Sequence, residues 1–228
     1  NIKYKIFIYY NIEGTVLIDI IMVDYITASD VIIFDPQYVK PLSLELNIQS
    51  NLKKIIFSDY ELNDGIFEAW ENDDFINFTL ICSKFNCHLG NSLDNCTALT
   101  HIIFGRRFNQ PLGNALVVCT ELTHISFGSC FNRPLLNSLN NCTKLTHIIF
   151  GGFFSQPLDN LFDNCTSLYH IGLGYYFNQK VSIPFNIRSL SLNSNEMNYT
   201  DCLSDNIEEI EFGKNFNLEL CNFSSSIK

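Results

Sequence analysis

Hydrophobic and polar positions in the middle of this chain repeat with a period of 23 residues. Each repeat opens on a leucine, and further apolar residues follow three and five positions later, as in Leu99, Ile102 and Phe104. Self-similarity at a fixed period of this length indicates a tandem array in which each repeat packs against its neighbours. The same phrase begins again at Leu122, Leu145 and Leu168.

Alternation within each phrase predicts a short β-strand. Successive side chains of a strand point to opposite faces, so Ile102 and Phe104 lie on one face while His101 and Ile103 lie on the other. The face of Ile102 and Phe104 is predicted to form the core. The period of 23 residues and the spacing Leu-x-x-Ile-x-Phe are typical of leucine-rich repeats, which are roughly 20 to 29 residues long.

The segment after each strand predicts a short return to the next coil. Pro111 suits a first helical position, and Leu112, Leu116 and Cys119 are spaced to share one helical face. The asparagine of each Phe-Asn pair, such as Asn109, is expected to hydrogen-bond the backbone of a neighbouring coil. The predicted fold is an α/β repeat solenoid: a leucine-rich-repeat-like right-handed coil with parallel strands on the concave face and short helical or 3₁₀ turns on the convex face.

The array extends beyond its regular part. We predict a solenoid over residues 29–228, most regular at 80–180, and interpret residues 1–28 as a degenerate coil or an N-terminal cap. A further strand would begin near Ile227, and the chain starts with asparagine rather than methionine. The sequence is therefore interpreted as a segment of a longer array, or as a product that lacks its start and its final cap.

One coil ahead of the regular region is less clear in its pattern. Phe75, Phe78 and Leu80 are interpreted as its strand, and Ile66 and Trp70 as apolar residues on its convex side. The single tryptophan is accordingly predicted to fill the core.

Composition and charge exclude several functional classes. Hydrophobic residues make up 46% of the chain and the net charge is −10. An acidic surface repels phosphate backbones, so we expect no nucleic-acid partner. Asp19 and Asp24 interrupt the best apolar run, so no membrane span is predicted.

Nine cysteines suggest a metal site at first sight, but their spacing does not support one. No Cys-x-x-Cys pair occurs, and four cysteines recur once per coil as a small buried residue would. We interpret that column as buried thiols. The triplet Asn-Cys-Thr also matches the N-glycosylation sequence, which we interpret as accidental because its cysteine is expected to be buried. The column comprises Cys96, Cys119, Cys142 and Cys165.

One histidine per coil is predicted to project from the concave face, with neighbours about 4.8 Å apart. A straight column does not converge on one point as metal ligands must, so we expect neither a metal nor a cofactor. Protonation of one stacked imidazole disfavours protonation of the next, which predicts coupled, shifted titrations. The column comprises His101, His124, His147 and His170.

Catalysis is not predicted, because every conspicuous polar residue recurs with the coil instead of meeting different partners at a single site. We expect a non-catalytic scaffold that binds a partner protein on the concave face. The alternative is that these positions are simply exposed strand residues. The predicted docking residues are Thr100, His101, Ile103, Arg106, Arg107, Thr123, His124, Ser126, Thr146, His147, Ile149 and His170.

The phrase Phe-Asn-Gln-Pro-Leu at 108–112, with variants at 131–135 and 154–158, resembles the FNIP repeat, a leucine-rich-repeat variant of social amoebae and giant viruses of amoebae. In that family the repeats often follow an F-box, which recruits a ubiquitin-ligase scaffold while the repeats present the substrate. The resemblance implies the substrate-recognition part of such an adaptor, although the first 30 residues contain no recognisable F-box.

A second resemblance leads to a different class of function. The phrase Cys-Thr-x-Leu-Thr before each strand looks like the BspA type of leucine-rich repeat. This implies, as the alternative, an extracellular adhesion or surface module. We expect an intracellular protein, located in the host cytoplasm if it is viral, with the extracellular surface as the alternative location.

Overall fold

A computed structural model of the chain describes residues 5–10, 16–21, 25–28, 31–34, 36–39, 42, 51–59, 82–180, 183–193, 206–213 and 227. Eleven strands and no α-helix occur within these ranges. The strands are β1 (Lys5–Tyr10), β2 (Val16–Ile21), β3 (Tyr25–Ala28), β4 (Val31–Phe34), β5 (Lys54–Phe57), β6 (His101–Ile103), β7 (His124–Ser126), β8 (His147–Ile149), β9 (His170–Leu173), β10 (Ser189–Leu192) and β11 (Glu209–Phe212).

Nine strands form one sheet whose order in space follows the order in sequence from β3 to β11. From β4 to β11 every neighbouring pair is parallel, as expected when each coil returns to the same end of the sheet. The edge strand β3 instead pairs antiparallel with β4, and β1 and β2 form a separate antiparallel pair. The predicted parallel solenoid is thus confirmed, while the cap boundary at residue 28 stays a prediction.

Phenylalanine rings form two ladders through the core. Phe127 lies 5.4 Å from Phe104 and 5.7 Å from Phe150 between ring centroids, and each of these rings is at most 3% exposed. Within one coil Phe127 also stacks on Phe131, at 4.0 Å. Phe131 belongs to the second ladder, in which successive centroids are 5.9 to 6.1 Å apart. That ladder comprises Phe85, Phe108, Phe131, Phe154 and Phe177.

The return segments consist of separate turns and not of a continuous helix. Ala115 N–H donates to the Leu112 carbonyl, and Cys119 N–H donates to the Leu116 carbonyl, both at 3.0 Å. These are the i to i+3 bonds of a 3₁₀ turn, but they do not follow one another residue by residue. Leu112, Leu116 and Cys119 are all buried, so the spacing identified the core positions although no helix forms.

The predicted asparagine ladder is present on these returns. Asn109 N–H donates to Asn86 Oδ1 at 2.8 Å, and Asn132 N–H donates to Asn109 Oδ1 at 3.0 Å. Ser155 continues the ladder through its backbone N–H, which donates to Asn132 Oδ1 at 3.0 Å. Each amide oxygen therefore satisfies a backbone donor of the next coil that the strand ladder no longer reaches.

The sheet corrects one element predicted from the sequence. β5 pairs directly with β6, with Lys54 opposite His101. The strand predicted at Phe75, Phe78 and Leu80 would have to lie between these two strands, so its assignment as a separate coil of the sheet is wrong. Phe75, Phe78 and Leu80 themselves, together with Ile66 and Trp70, lie outside the described residues.

The regular coil resumes close to the point at which the chain leaves it. Cys82 N–H donates to the Asp59 carbonyl at 3.0 Å, and Ser83 N–H donates to Asp59 Oδ1 at 2.6 Å. Phe85 then stacks on Phe57 at 4.1 Å. Residues 60–81, which lie outside the described ranges, separate these two parts of the coil in the sequence. Their length is close to one period, which is why the pattern suggested an additional repeat.

No helix within the described ranges is long and apolar enough to cross a membrane.

Candidate partner-binding face

Predicted docking residues alternate with core residues along each strand. In β7, Ile125 is buried while His124 and Ser126 on either side are half-buried. β6 shows the same alternation, and in β8 the third position is exposed. Strand register places the histidines of β6 to β9 side by side in one column. We name the outward side of β6 to β11 the concave face.

The histidine rings of this column stack on one another. Centroids are 4.3 Å apart for His101 and His124, and 4.4 Å apart for His124 and His147, with the planes within 9° of parallel. The last pair, His147 and His170, is looser, at 5.5 Å and 29°. The column is therefore regular over three coils and changes at the fourth.

A threonine hydroxyl holds each of the first three rings. Thr123 Oγ1 lies 2.8 Å from His124 Nδ1 and donates to the Thr100 carbonyl at 3.0 Å. Thr146 Oγ1 lies 2.9 Å from His147 Nδ1 and donates to the Thr123 carbonyl at 3.0 Å. In β6, Thr100 Oγ1 lies 2.8 Å from His101 Nδ1 and donates to the Lys53 carbonyl at 3.1 Å.

Burial and neighbouring charges keep these imidazoles neutral. Desolvation, followed by repulsion from His101, His147 and Lys54, lowers the pKa of His124 from 6.5 to about 4. Desolvation also lowers the pKa of His101 and His147. The pKa of His170 is lowered by desolvation and by His147, against an opposing effect of Glu211 and Glu209.

His170 has different hydrogen-bond partners, because Tyr169 replaces the threonine before it. His170 Nδ1 lies 2.9 Å from Ser189 Oγ, and Nε2 lies 3.4 Å from Ser191 Oγ. Ser191 Oγ in turn donates to Glu211 Oε2 at 2.9 Å. The fourth histidine is therefore linked to the acidic end of the sheet, unlike the other three.

Two arginines predicted for this face lie on the turn after β6 instead of on the strand. Arg106 and Arg107 are both exposed. Arg106 N–H donates to Asp59 Oδ1 at 2.8 Å, and its Nη1 lies 3.4 Å from Cys82 Sγ. The structure thus directs Arg106 towards the preceding coil along the edge of the sheet.

Aromatic residues at the edge of the sheet were not identified by the sequence analysis. Phe153 and Tyr176 are exposed and stack at 5.0 Å, while Tyr175 meets Tyr176 edge-on at 4.8 Å. Phe153 and Tyr176 occupy the turn position of Arg107 and Cys130 in earlier coils, so the 23-residue alignment could have revealed the change. A shallow cavity of about 320 Å³ lies beside them, lined by Phe150, Gly151, Gly152, Gly174, Tyr175, Asn193 and Gly213.

Thiol chemistry and metal binding find no support in the described part of the chain. The four cysteines of the predicted column are fully buried and free, as expected. Desolvation raises the pKa of Cys119 and Cys142 to about 12 and that of Cys96 and Cys165 to about 11. No group of three or more potential metal ligands occurs among the described residues.

The glycosylation triplets have a different accessibility from the one expected. Their cysteines are buried, but Asn95, Asn141 and Asn164 are exposed. Side chains alternate between core and surface in these turns, so burial of the middle residue does not bury the asparagine. The steric reason for rejecting these triplets was therefore wrong.

Comparison with known proteins supports the fold. No family model and no curated protein matches the chain. The chain is similar to the crystal structure of CroV588, a giant-virus protein described as a novel circular LRR protein structure, with a TM-score of 0.52 and 21% identity. The match covers 90% of this chain and 37% of that one. At this identity the likeness establishes a leucine-rich-repeat-like solenoid fold and does not assign the chain to the FNIP or the BspA type.

Proposed function

We propose that this chain is a non-catalytic scaffold that binds a partner protein on its concave face. The proposal depends on the alternation of buried and accessible side chains along the strands. On β6, β7 and β8 the inward isoleucine is buried, whereas the outward positions on either side of it are half-buried or exposed. Extended curved surfaces of this kind are what solenoids use for binding.

Apolar and aromatic residues on and beside the column add contact area. Ile149 is 44% exposed and Tyr169 is 38% exposed, so both present apolar surface to solvent. Tyr169 also lies against His147, at 6.1 Å between ring centroids. Aromatic residues next to a preformed surface are favoured as anchors of protein interfaces.

A finer function follows from the sequence resemblances alone. If an F-box accompanies these repeats, the concave face would select the substrate of a ubiquitin ligase. The alternative of an extracellular adhesion module is favoured by a specific observation, the exposure of the asparagines in all three Asn-Cys-Thr triplets of the described region. Sequence upstream of the chain, which would carry an F-box or a signal peptide, discriminates between these roles.

A pull-down with matched variants tests the binding face. His124→Glu combined with His147→Glu places two carboxylates on adjacent coils of the concave face, and we expect partners captured by the unmodified chain to be lost. Asn114→Glu combined with Asn137→Glu is the control, because these residues are exposed on the returns of adjacent coils. If the control abolishes capture and the histidine variant does not, the binding face is on the other side of the solenoid.

A further inference from the structure

Hydrogen bonding determines which ring nitrogen carries the proton in three of the histidines. The hydroxyl of Thr123 has one proton, and the Thr100 carbonyl accepts it. The same hydroxyl oxygen lies 2.8 Å from His124 Nδ1, and the Thr100 carbonyl also accepts the backbone N–H groups of Thr123 and His124. Protonation at Nδ1 is the state that makes both contacts of the hydroxyl hydrogen bonds, with the carbonyl as acceptor and Nδ1–H as donor. Because a neutral imidazole has one N–H, the lone pair of His124 is on Nε2.

The same reasoning applies on the neighbouring coils. Thr100 and Thr146 also donate to backbone carbonyls, so His101 and His147 are protonated at Nδ1. No group of the described residues hydrogen-bonds to Nε2 of these three rings. The concave face therefore presents a row of three hydrogen-bond acceptors, spaced by the 4.3 and 4.4 Å of the stacked rings.

Further along the sheet the row becomes anionic. The positions in register with the histidines are Ser189 in β10 and Glu209 in β11. Glu211, two residues after Glu209 and on the same face of β11, is also exposed. At the opposite end the register position is Lys54 in β5. Between Lys54 and Glu209 the face thus changes from cationic, through neutral acceptors, to acidic.

We propose that the partner contributes an extended segment rich in hydrogen-bond donors, such as Asn, Gln, Ser and Thr, whose Lys or Arg side chains lie over Glu209 and Glu211. This inference rests on the proposed function of the concave face. From β6 to β11 the row spans about 24 Å, which about seven residues of extended chain would cover.

Other partner chemistries fit this surface less well. An apolar segment would remove water from the three Nε2 atoms without replacing its hydrogen bonds. An acidic segment has no side-chain donors, and Glu209, Glu211 and the net charge of −10 would repel it. Lys54 at the far end further favours a segment whose positive charge is confined to the β11 side.

Selection from a random library of 12-residue displayed peptides, with the whole chain as bait, tests the partner chemistry. We expect the enriched peptides to be rich in Lys, Arg, Asn and Gln and poor in Asp and Glu. For a synthetic copy of an enriched peptide, His124→Phe combined with His147→Phe should weaken the dissociation constant about 10-fold or more, because ring stacking is kept while Nε2 is lost. Glu209→Gln combined with Glu211→Gln should weaken it by a similar factor at low salt and remove most of the salt dependence.

A second pair of substitutions alters the acceptors without replacing the rings. Thr123→Val combined with Thr146→Val removes the oxygens that hold Nδ1–H and frees the rings to protonate Nε2 instead. Nitrogen NMR of the histidines should then show loss of the Nδ1–H form, accompanied by weaker peptide binding. Thermal unfolding of each variant establishes that it folds before its affinity is compared.

The outcomes separate the partner chemistry from the proposed function. Enrichment of acidic peptides that lose affinity for the His→Phe variant would overturn the donor-rich segment and leave the binding face in place. Peptides that bind this variant as well as the unmodified chain, but not the control at Asn114 and Asn137, would overturn both proposals. Selection without any enriched sequence also contradicts both.

Discussion

The regular coils between residues 86 and 165 and the shorter coils between 168 and 213 keep the same strands but share little else. Openings of successive coils are 23 residues apart up to Leu168, then 19 residues apart to Ile187 and 20 to Ile207. β9, β10 and β11 nevertheless remain parallel and in register. Strand pairing and the buried strand positions therefore maintain the solenoid, while the length of the return can vary.

The features that depend on the return and on outward side chains change at this boundary. The left-handed residues of the returns, from Gly90 to Asn160, lie in the 23-residue coils of the described chain. The asparagine ladder reaches one coil further, where Asn178 N–H donates to Ser155 Oγ, and the column on the concave face then passes from histidine to serine and glutamate. Core residue types thus recur from coil to coil more regularly than the outward-facing residue types do. Because the outward residues change while the strand pairing stays the same, the charge of the concave face differs between its two ends.

Removing one phenylalanine ring from each region tests whether core packing stabilises the regular and the shorter coils equally. Phe127→Ala removes a buried ring that contacts Phe104, Phe131 and Phe150, and should lower the free energy of unfolding by about 4 kcal/mol. Phe212→Ala removes a half-buried ring in β11 and should cost about half as much. Chemical denaturation measures both, and an equal loss would contradict the contrast between the regions.

Adding a methyl group tests the close approach of backbones where the strands end. A Cβ at Gly128 would overlap the carbonyl of Gly105, so Gly128→Ala should destabilise the fold by about 3 kcal/mol. Gly152→Ala is the matched control, because nothing lies within 4 Å of its added Cβ, and its effect should stay within about 0.5 kcal/mol. The shorter coils keep glycine in this column at Gly174 and Gly213, where an added Cβ would overlap Gly151 and Asn193, while Asn193 interrupts it after β10. If chemical denaturation shows that Gly128→Ala is as stable as Gly152→Ala, the close approach of the backbones in this column does not limit the fold.

The sequence predicted the fold well because the core consists of residues repeated at one interval. Leu99, Ile102 and Phe104 fixed both the strand and its inward face, and the neighbouring coils repeated the signal independently. The same method wrongly predicted an additional strand within segment 60–81, because the length of this segment is close to one period. β5 in fact pairs directly with β6. Periodicity measures sequence distance, and only pairing shows which strands are neighbours.

The candidate site was predictable in position but not in chemistry. Alternation placed His124 outward, yet the proton on Nδ1 depends on the Thr100 carbonyl, a backbone atom of another coil. The link from His170 through Ser191 to Glu211 joins coils of different lengths and follows no repeat. The twelve docking residues as a binding set remain a prediction.

The pH dependence of stability tests the electrostatics of the histidine column in the regular coils. In the folded chain His124 has a pKa near 4, below the 6.5 of an unfolded chain, so the unfolded state binds more protons between these values. Stability from this group is therefore present above pH 6.5 and is lost as the pH falls towards 4. Because the ring is half-exposed, solvent screening reduces the loss to about 1 kcal/mol. His124→Phe should flatten this part of the stability profile.

Proton NMR gives the site-specific result for the same comparison. His124 should show the midpoint near 4, and His101, His147 and His170 should also titrate below 6.5. Replacing Glu209 and Glu211 with glutamine should lower the midpoint of His170 further while leaving that of His124 unchanged, because only His170 is linked to these carboxylates. Four independent transitions at the ordinary value would contradict the coupled column.

The smallest expected effect concerns a leucine that stands where the regular coils place glycine. Leu136 has a φ of 46° and is 77% exposed, in the column of Gly90 and Gly113, whose φ values are 52° and 54°. A left-handed conformation costs a residue with a Cβ about 1 kcal/mol or more, and glycine avoids this at some cost in unfolded-chain entropy. Leu136→Gly should therefore raise the free energy of unfolding by about 0.5 kcal/mol. Leu136→Ala keeps the Cβ and should change stability less, because the side chain makes little contact with the core. If alanine stabilises the fold as much as glycine does, the cost lies in exposing leucine to water, and the left-handed turn is not what distinguishes the 23-residue coils energetically.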